Sequence, residues 1–148
     1  MLVRLTSEQI SRCYDHLEAA VRVSVPPTGG REKGSEQKVM ENLLAGRMQA
    51  WLLCVEGEDL EIESAHAAVI TVLMKDPGTG FPTLLVYSLC ADTETPPVLA
   101  EEGIDTLRKY ARSQGAKLLS MFTSVPKVRD LVRAIGGSSD DWYLTLEV

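Results

Sequence analysis

Two histidines, three cysteines and a run of carboxylates are the side chains in this sequence best suited to chemistry. His16 and His66 are the only histidines. Either imidazole could act as a general base near neutral pH, and a lone histidine fits many structural roles as well. Two isolated histidines do not make a structural zinc shell. Cys13, Cys54 and Cys90 are widely spaced and include no C-x-x-C pair, which argues against a zinc site or a dithiol redox motif. Each lies in an apolar stretch, where a cysteine is expected to be a small buried hydrophobe. Glu56–Glu63 holds five carboxylates and no base. It could supply a base or recognise an amine, and it also reads as a solvated connection between strands. Tyr87, Tyr110 and Tyr143 each fall in an apolar pattern, where the expected role is structural with a bonded hydroxyl.

Composition narrows what these groups can serve. The chain has 148 residues, 45% hydrophobic and 24% charged, with a net charge of -6. That length suits one domain, 1–148, with enough apolar residues to bury a core. A pI near 4.9 argues against sequence-independent nucleic-acid binding, which needs a basic face. No apolar run approaches the roughly 20 residues of a membrane span. The opening residues Met1–Thr6 lack the basic and apolar blocks of a signal peptide, so a cytoplasmic location is expected.

The elements that must position these residues follow from periodicity. Thr6 and Gln9 have capping-box spacing, and Ile10, Cys13, Tyr14, Leu17 and Val21 form a helical stripe ending before Pro26-Pro27. The segment 28–34 reads as a mobile loop. Ser35 is expected to cap a second helix carrying Val39, Met40, Leu43 and Leu44, with Gly46 ending it. Ala50–Val55, Ala65–Met74 and Thr83–Cys90 read as three antiparallel strands, the last two joined at Asp76–Gly80. Pro97 starts a helix with Leu99, Ile104, Leu107 and Ala111 inward, and Gly115 ends it. Lys117–Thr123 follows as a strand, expected parallel to Thr83–Cys90 after a helical crossover. Pro126 begins a last helix with Val128, Leu131, Val132 and Ile135 inward. Residues 142–148 read as a final strand. The fold class is α/β (α+β): a mixed sheet, an antiparallel meander and then a parallel β-α-β unit, in the order ααβββαβαβ.

This layout resembles the acetyltransferase superfamily named after the Gcn5-related N-acetyltransferases. The resemblance covers nearly the whole chain and is best from Leu84 to Val148. Leu107–Leu119 looks like the family's central helix and following strand, and Ser124–Gly137 like its short last helix and terminal glycine. It implies acetyl-CoA splayed between Thr83–Cys90 and Lys117–Thr123, bonded by main-chain groups near Leu89, Cys90 and Ala91. It also implies a phosphate loop of Gln or Arg, two residues, Gly, one residue, then Gly or Ala, whose free N–H groups and helix dipole hold the pyrophosphate.

Here that loop departs from the pattern. If Gly103 takes the last position, Glu101 replaces the inner glycine and Val98 the Gln or Arg. Pro96 and Pro97 lack N–H donors. Asp92, Glu94, Glu101 and Glu102 add four negative charges to Ala91–Gly103, which has no Lys or Arg. Many family members place a tyrosine four residues before the terminal glycine; counting back from Gly136 gives Val132. Ser124 stands where the family often has a cofactor-contacting asparagine, and a cap before Pro126 is its expected use.

The expectation is therefore a non-catalytic acetyltransferase-like domain, with no cofactor, that acts by binding protein. With Gly-Arg-Met-Gln-Ala-Trp (Gly46–Trp51) before the first strand and Leu-Leu-Val-Tyr-Ser-Leu (Leu84–Leu89) on the long strand, the chain also resembles small proteins encoded among the head and portal genes of tailed bacteriophages, which implies a virion-associated or assembly role, located in the host cytoplasm or the virion. From Arg108 to Arg133 there are seven bases and one acid, a net of +6. Arg129 and Arg133 are the candidate partner contacts on the last helix, although such charges also match helix dipoles. The alternative is an active N-acetyltransferase using acetyl-CoA through a divergent loop. A regulator that keeps the fold to bind another small molecule is a third reading.

Overall fold

The computed structural model describes residues 1–30, 32–141 and 143–148. Their elements run β1 (Leu2–Arg4), α1 (Ser7–Arg12), α2 (Tyr14–Ser24), α3 (Ser35–Leu44), β2 (Gln49–Leu53), β3 (Ala67–Lys75), β4 (Pro82–Ala91), α4 (Pro97–Ser113), β5 (Leu118–Met121) and α5 (Pro126–Ala134). One five-stranded sheet takes the order β1-β2-β3-β4-β5. The first four strands are antiparallel neighbours, and β4–β5 is the parallel pair expected across the α4 crossover.

Local chemistry explains most boundaries. The Thr6 hydroxyl accepts from Gln9 N–H (3.2 Å), and Gln9 Oε1 accepts from Thr6 N–H (2.8 Å), completing the capping box. The expected first helix is interrupted at Cys13, whose thiol donates back to Gln9 C=O at 3.1 Å, a carbonyl its own N–H also uses. Sharing that acceptor loosens the turn, as side-chain back-bonding does. Ser35 is the first residue of α3 and not its cap. Left-handed Gly34 (φ 88°) precedes it, and the Ser35 hydroxyl donates to Glu32 C=O at 2.8 Å. Within 28–34, Pro27–Gly29 closes a short 3-10 turn.

Two differences lie at the sheet's edges. β1 was not expected; three residues carry no period of their own, and pairing Leu2 with Leu53 defines it. The final strand is absent: 143–148 form none, with Leu144 84% and Leu146 92% exposed, while Trp142 lies outside the described residues. An alternating pattern makes a strand only when one face is buried and one edge bonded.

The sheet is covered on both faces. Leu17, Val21, Met40 and Leu43 from α2 and α3 pack on Leu52 and Ile70. Leu107 of α4 packs on Trp51, Leu53, Val69 and Val86 on the other face. A buried polar chain runs inside: Trp51 Nε1–H donates to Thr71 Oγ1, which donates to Gln49 Oε1, both at 2.9 Å. α5 buries no residue, and its expected inward positions are only half-buried. No helix among the described residues is long and apolar enough to cross a membrane.

Candidate functional site

The sheet opens where β4 outruns β5. They pair from Thr83 with Leu118 to Val86 with Met121, and β4 then continues to Ala91 with no partner on that edge among the described residues. On its other edge the register with β3 slips. Ile70 faces Ser88 but Thr71 faces Val86, leaving Tyr87 as an extra residue. Such a bulge bends and twists its strand, and it falls where the β4–β5 pairing ends.

Register also decides which main-chain groups face the gap. Asp92 N–H donates to His66 C=O at 2.9 Å. Antiparallel bonding alternates, so Cys90 and Ser88 direct their main chain to Ala68 and Ile70. Leu89 and Ala91 direct theirs away from β3, into the gap. The expected trio is thus divided, with Leu89 and Ala91 towards the splay and Cys90 towards β3.

The loop that would meet a pyrophosphate is folded onto itself. Asp92 Oδ1 accepts from Thr95 Oγ1 (2.8 Å) and Glu94 N–H (3.1 Å). The Thr95 bond, with His66 adding to it, holds the Asp92 carboxyl below the usual aspartate range. Pro97 opens α4, whose first intrahelical N–H bond runs from Ala100 to Pro96 C=O (3.1 Å). Asp92, Glu94, Glu101 and Glu102 are all exposed around it. Gly103 is buried, and a Cβ there would stand 3.3 Å from Leu53 Cδ1. Its smallness therefore serves close packing of α4 on β2.

Behind the loop, His66 Nδ1 lies 3.0 Å from Asp92 Oδ2. Ionised Asp92 accepts a hydrogen bond from a proton on Nδ1, which orients the ring. His16 pairs with Glu63, Nε2 to Oε1, at 3.3 Å. Both imidazoles line a groove of about 440 Å3 between α2 and the adjoining ends of β3 and β4. By sequence alone His66 is isolated and Asp92 is one of the loop acids. The signal was the hairpin: counting outward from the Asp76–Gly80 turn, with one bulge, sets 66 against 92.

The other candidates are scattered. Cys54 is buried, while Cys13 and Cys90 are half-buried. Burial pushes the Cys13 and Cys54 thiols up, which suits packing better than nucleophilic attack. Burial likewise raises Tyr87, whose hydroxyl sits under Gly29. Tyr110 is packed edge-on to Trp51 (5.0 Å), beneath the Arg4 guanidinium. Tyr143 is exposed and meets Phe122 edge-on at 4.9 Å, so its apolar pattern does not bury it. Ser124 does not cap α5; Val125 holds the N-cap position, and Thr123 Oγ1 accepts the Val125 N–H (3.1 Å). Val132 packs under Gly137, whose N–H donates to Val132 C=O at 2.8 Å. Arg129 lies 3.2 Å from Asp130, whereas Arg133 makes no ion pair among the described residues.

Comparison with solved structures shows the fold. A probable acetyltransferase superposes with a TM-score of 0.70 at 14% identity, over 100% of this chain and 97% of its own. A ribosomal-protein-alanine N-acetyltransferase from Brucella melitensis biovar Abortus 2308 gives 0.65 at 16% identity, over 100% and 99%. A predicted acetyltransferase from Clostridium acetobutylicum, solved with acetyl-CoA, gives 0.68 at 13%, over 99% and 95%. The fold is that of the Gcn5-related N-acetyltransferases. No family model and no curated protein matches the sequence.

Proposed function

We propose that this chain is an acetyltransferase-fold module that works by binding protein and does not transfer acetyl groups from acetyl-CoA. The loop between β4 and α4 carries the reading. Its best-placed carboxylate already uses the Glu94 N–H and the Thr95 hydroxyl, two prolines lack donors, and three glutamates surround the helix start. A pyrophosphate there would meet negative charge where the family's loop offers N–H groups. Within this reading the docking face is the basic α5 end of the molecule, and the partner is acidic. The phage resemblance makes that partner a head, portal or tail protein. Isothermal titration with acetyl-CoA at low ionic strength tests the loop directly, because any attraction is strongest there. The expected result is no micromolar binding; a micromolar Kd with CoA competing overturns the proposal.

A second reading, an active N-acetyltransferase, is favoured by the splay itself. The Tyr87 bulge, the end of the β4–β5 pairing beside it and the outward main chain of Leu89 and Ala91 would admit a thioester without needing any particular side chain. The same titration separates the two.

A further inference from the structure

We propose that the outer edge of β5 is a strand-addition site filled by residues 144–148 of a second copy of this chain, so that two copies exchange these segments about a two-fold axis. The inference holds whether or not the chain transfers acetyl groups. β5 stands last in the sheet and has no neighbour beyond it among the described residues. Alternate residues of a strand turn their N–H and C=O to opposite edges, so part of the β5 main chain faces that open side. Such an edge is a template for another strand.

The segment has the pattern to fill it. Leu144, Leu146 and Val148 alternate with Thr145 and Glu147, and all three apolar residues are exposed. Run antiparallel with Thr145 opposite Ser120, residues 144–148 cover 121 back to 117. Leu144 then stands opposite Met121 and Leu146 opposite Leu119, the two half-buried residues of β5 on the Leu107 side of the sheet. A slip of one residue would send both leucines to the other face. The chain does not make this pairing with itself. Its exit from α5 is tied by Gly137 N–H to Val132 C=O at 2.8 Å, and Tyr143 is set edge-on to Phe122. Past those two anchors the segment runs exposed, and its own β5 edge stays open among the described residues. Exchange between two copies covers both edges and both apolar stripes at once. Such a contact is isologous and closes on itself, with the two Phe122–Tyr143 pairs meeting at the axis.

The experiment is disulfide trapping between two whole chains, one carrying Ser120→Cys and the other, with a different affinity tag, Thr145→Cys. Residues directly opposite in an antiparallel pair hold their Cβ atoms about 4.5–5.5 Å apart, close to disulfide reach. Mixed and oxidised, the two variants should give a reducible heterodimer. Neither should give one with the wild type, which controls for the half-buried Cys13 and Cys90. In sedimentation equilibrium the wild-type mass should rise with concentration from 16.2 kDa towards twice that value. Leu144→Arg combined with Leu146→Arg, at two exposed positions, should hold the mass at 16.2 kDa throughout and leave the circular dichroism of the folded chain in place. A wild type that stays at the single-chain mass with no mixed disulfide would overturn the proposal. So would a dimer that survives the two arginines, or a disulfide that forms only within one chain carrying both cysteines, which would mean that the segment closes on its own strand.

Discussion

Replacing Thr71 with valine should cost this protein a large part of its stability, although the two side chains have nearly the same shape. Thr71 is fully buried and links Trp51 Nε1–H to Gln49 Oε1 by two bonds of 2.9 Å. Valine leaves both of those groups unsatisfied, at about 1–3 kcal/mol for each buried group. A loss of about 2–6 kcal/mol is expected, against the roughly 5–15 kcal/mol typical of a whole domain. At about 2–4 °C per kcal/mol for a chain of this size, the midpoint should fall by about 4–24 °C. Thr71 is also where the β3–β4 register slips, so the loss should loosen the bulge beside the end of the β4–β5 pairing. Thermal and urea unfolding of Thr71→Val and Thr71→Ser make the comparison. Serine keeps the hydroxyl and loses one methyl, about 1 kcal/mol. If valine proves as stable as serine or more so, the buried chain does not hold the register and the argument fails.

Other outcomes follow from the same geometry. Thr95→Ala should let the Asp92 carboxyl rise towards the ordinary aspartate range, as read by NMR titration; no movement would mean that Thr95 does not hold it. Asp92 and Asp76 both titrate low, Asp76 because Thr79 and Gly78 donate to it. Their contribution is complete above the ordinary aspartate pKa and is lost as pH falls through the lowered one, so the wild type should outlast Thr95→Ala least at the most acid pH. Gly103→Leu should destabilise the fold by about 1–3 kcal/mol through overpacking against Leu53, measured by urea unfolding. Unchanged stability would return Gly103 to a phosphate role. Reversing Arg129 and Arg133 to glutamate should weaken co-purification with the acidic partner and leave the fold intact. Arg133 should carry the larger share, since Arg129 already lies against Asp130.

What the sequence by itself determined is the set of elements whose signals are local. Pro97 at the first helical position and Gly115 after the last turn bracket α4 as expected, because proline's fixed φ and glycine's left-handed freedom act within one turn. The Thr6–Gln9 box and the β3–β4 hairpin are local in the same sense. The acids and prolines of the β4–α4 loop, on which the functional reading turns, are visible without coordinates. Tertiary structure decided the rest. β1 exists only because β2 offers an edge, and residues 143–148 keep their strand pattern without becoming a strand. Gly103 occupies the last position of a phosphate-loop pattern in sequence, and Leu53 packed against it gives its smallness a structural use. His66 and Asp92 are 26 residues apart and meet because one bulged residue, Tyr87, sets the register between them. Counting out from the turn without that bulge would set 66 against 91. A hydrogen-bond ladder has a period of two, so one inserted residue changes which groups face each other along the rest of the strand.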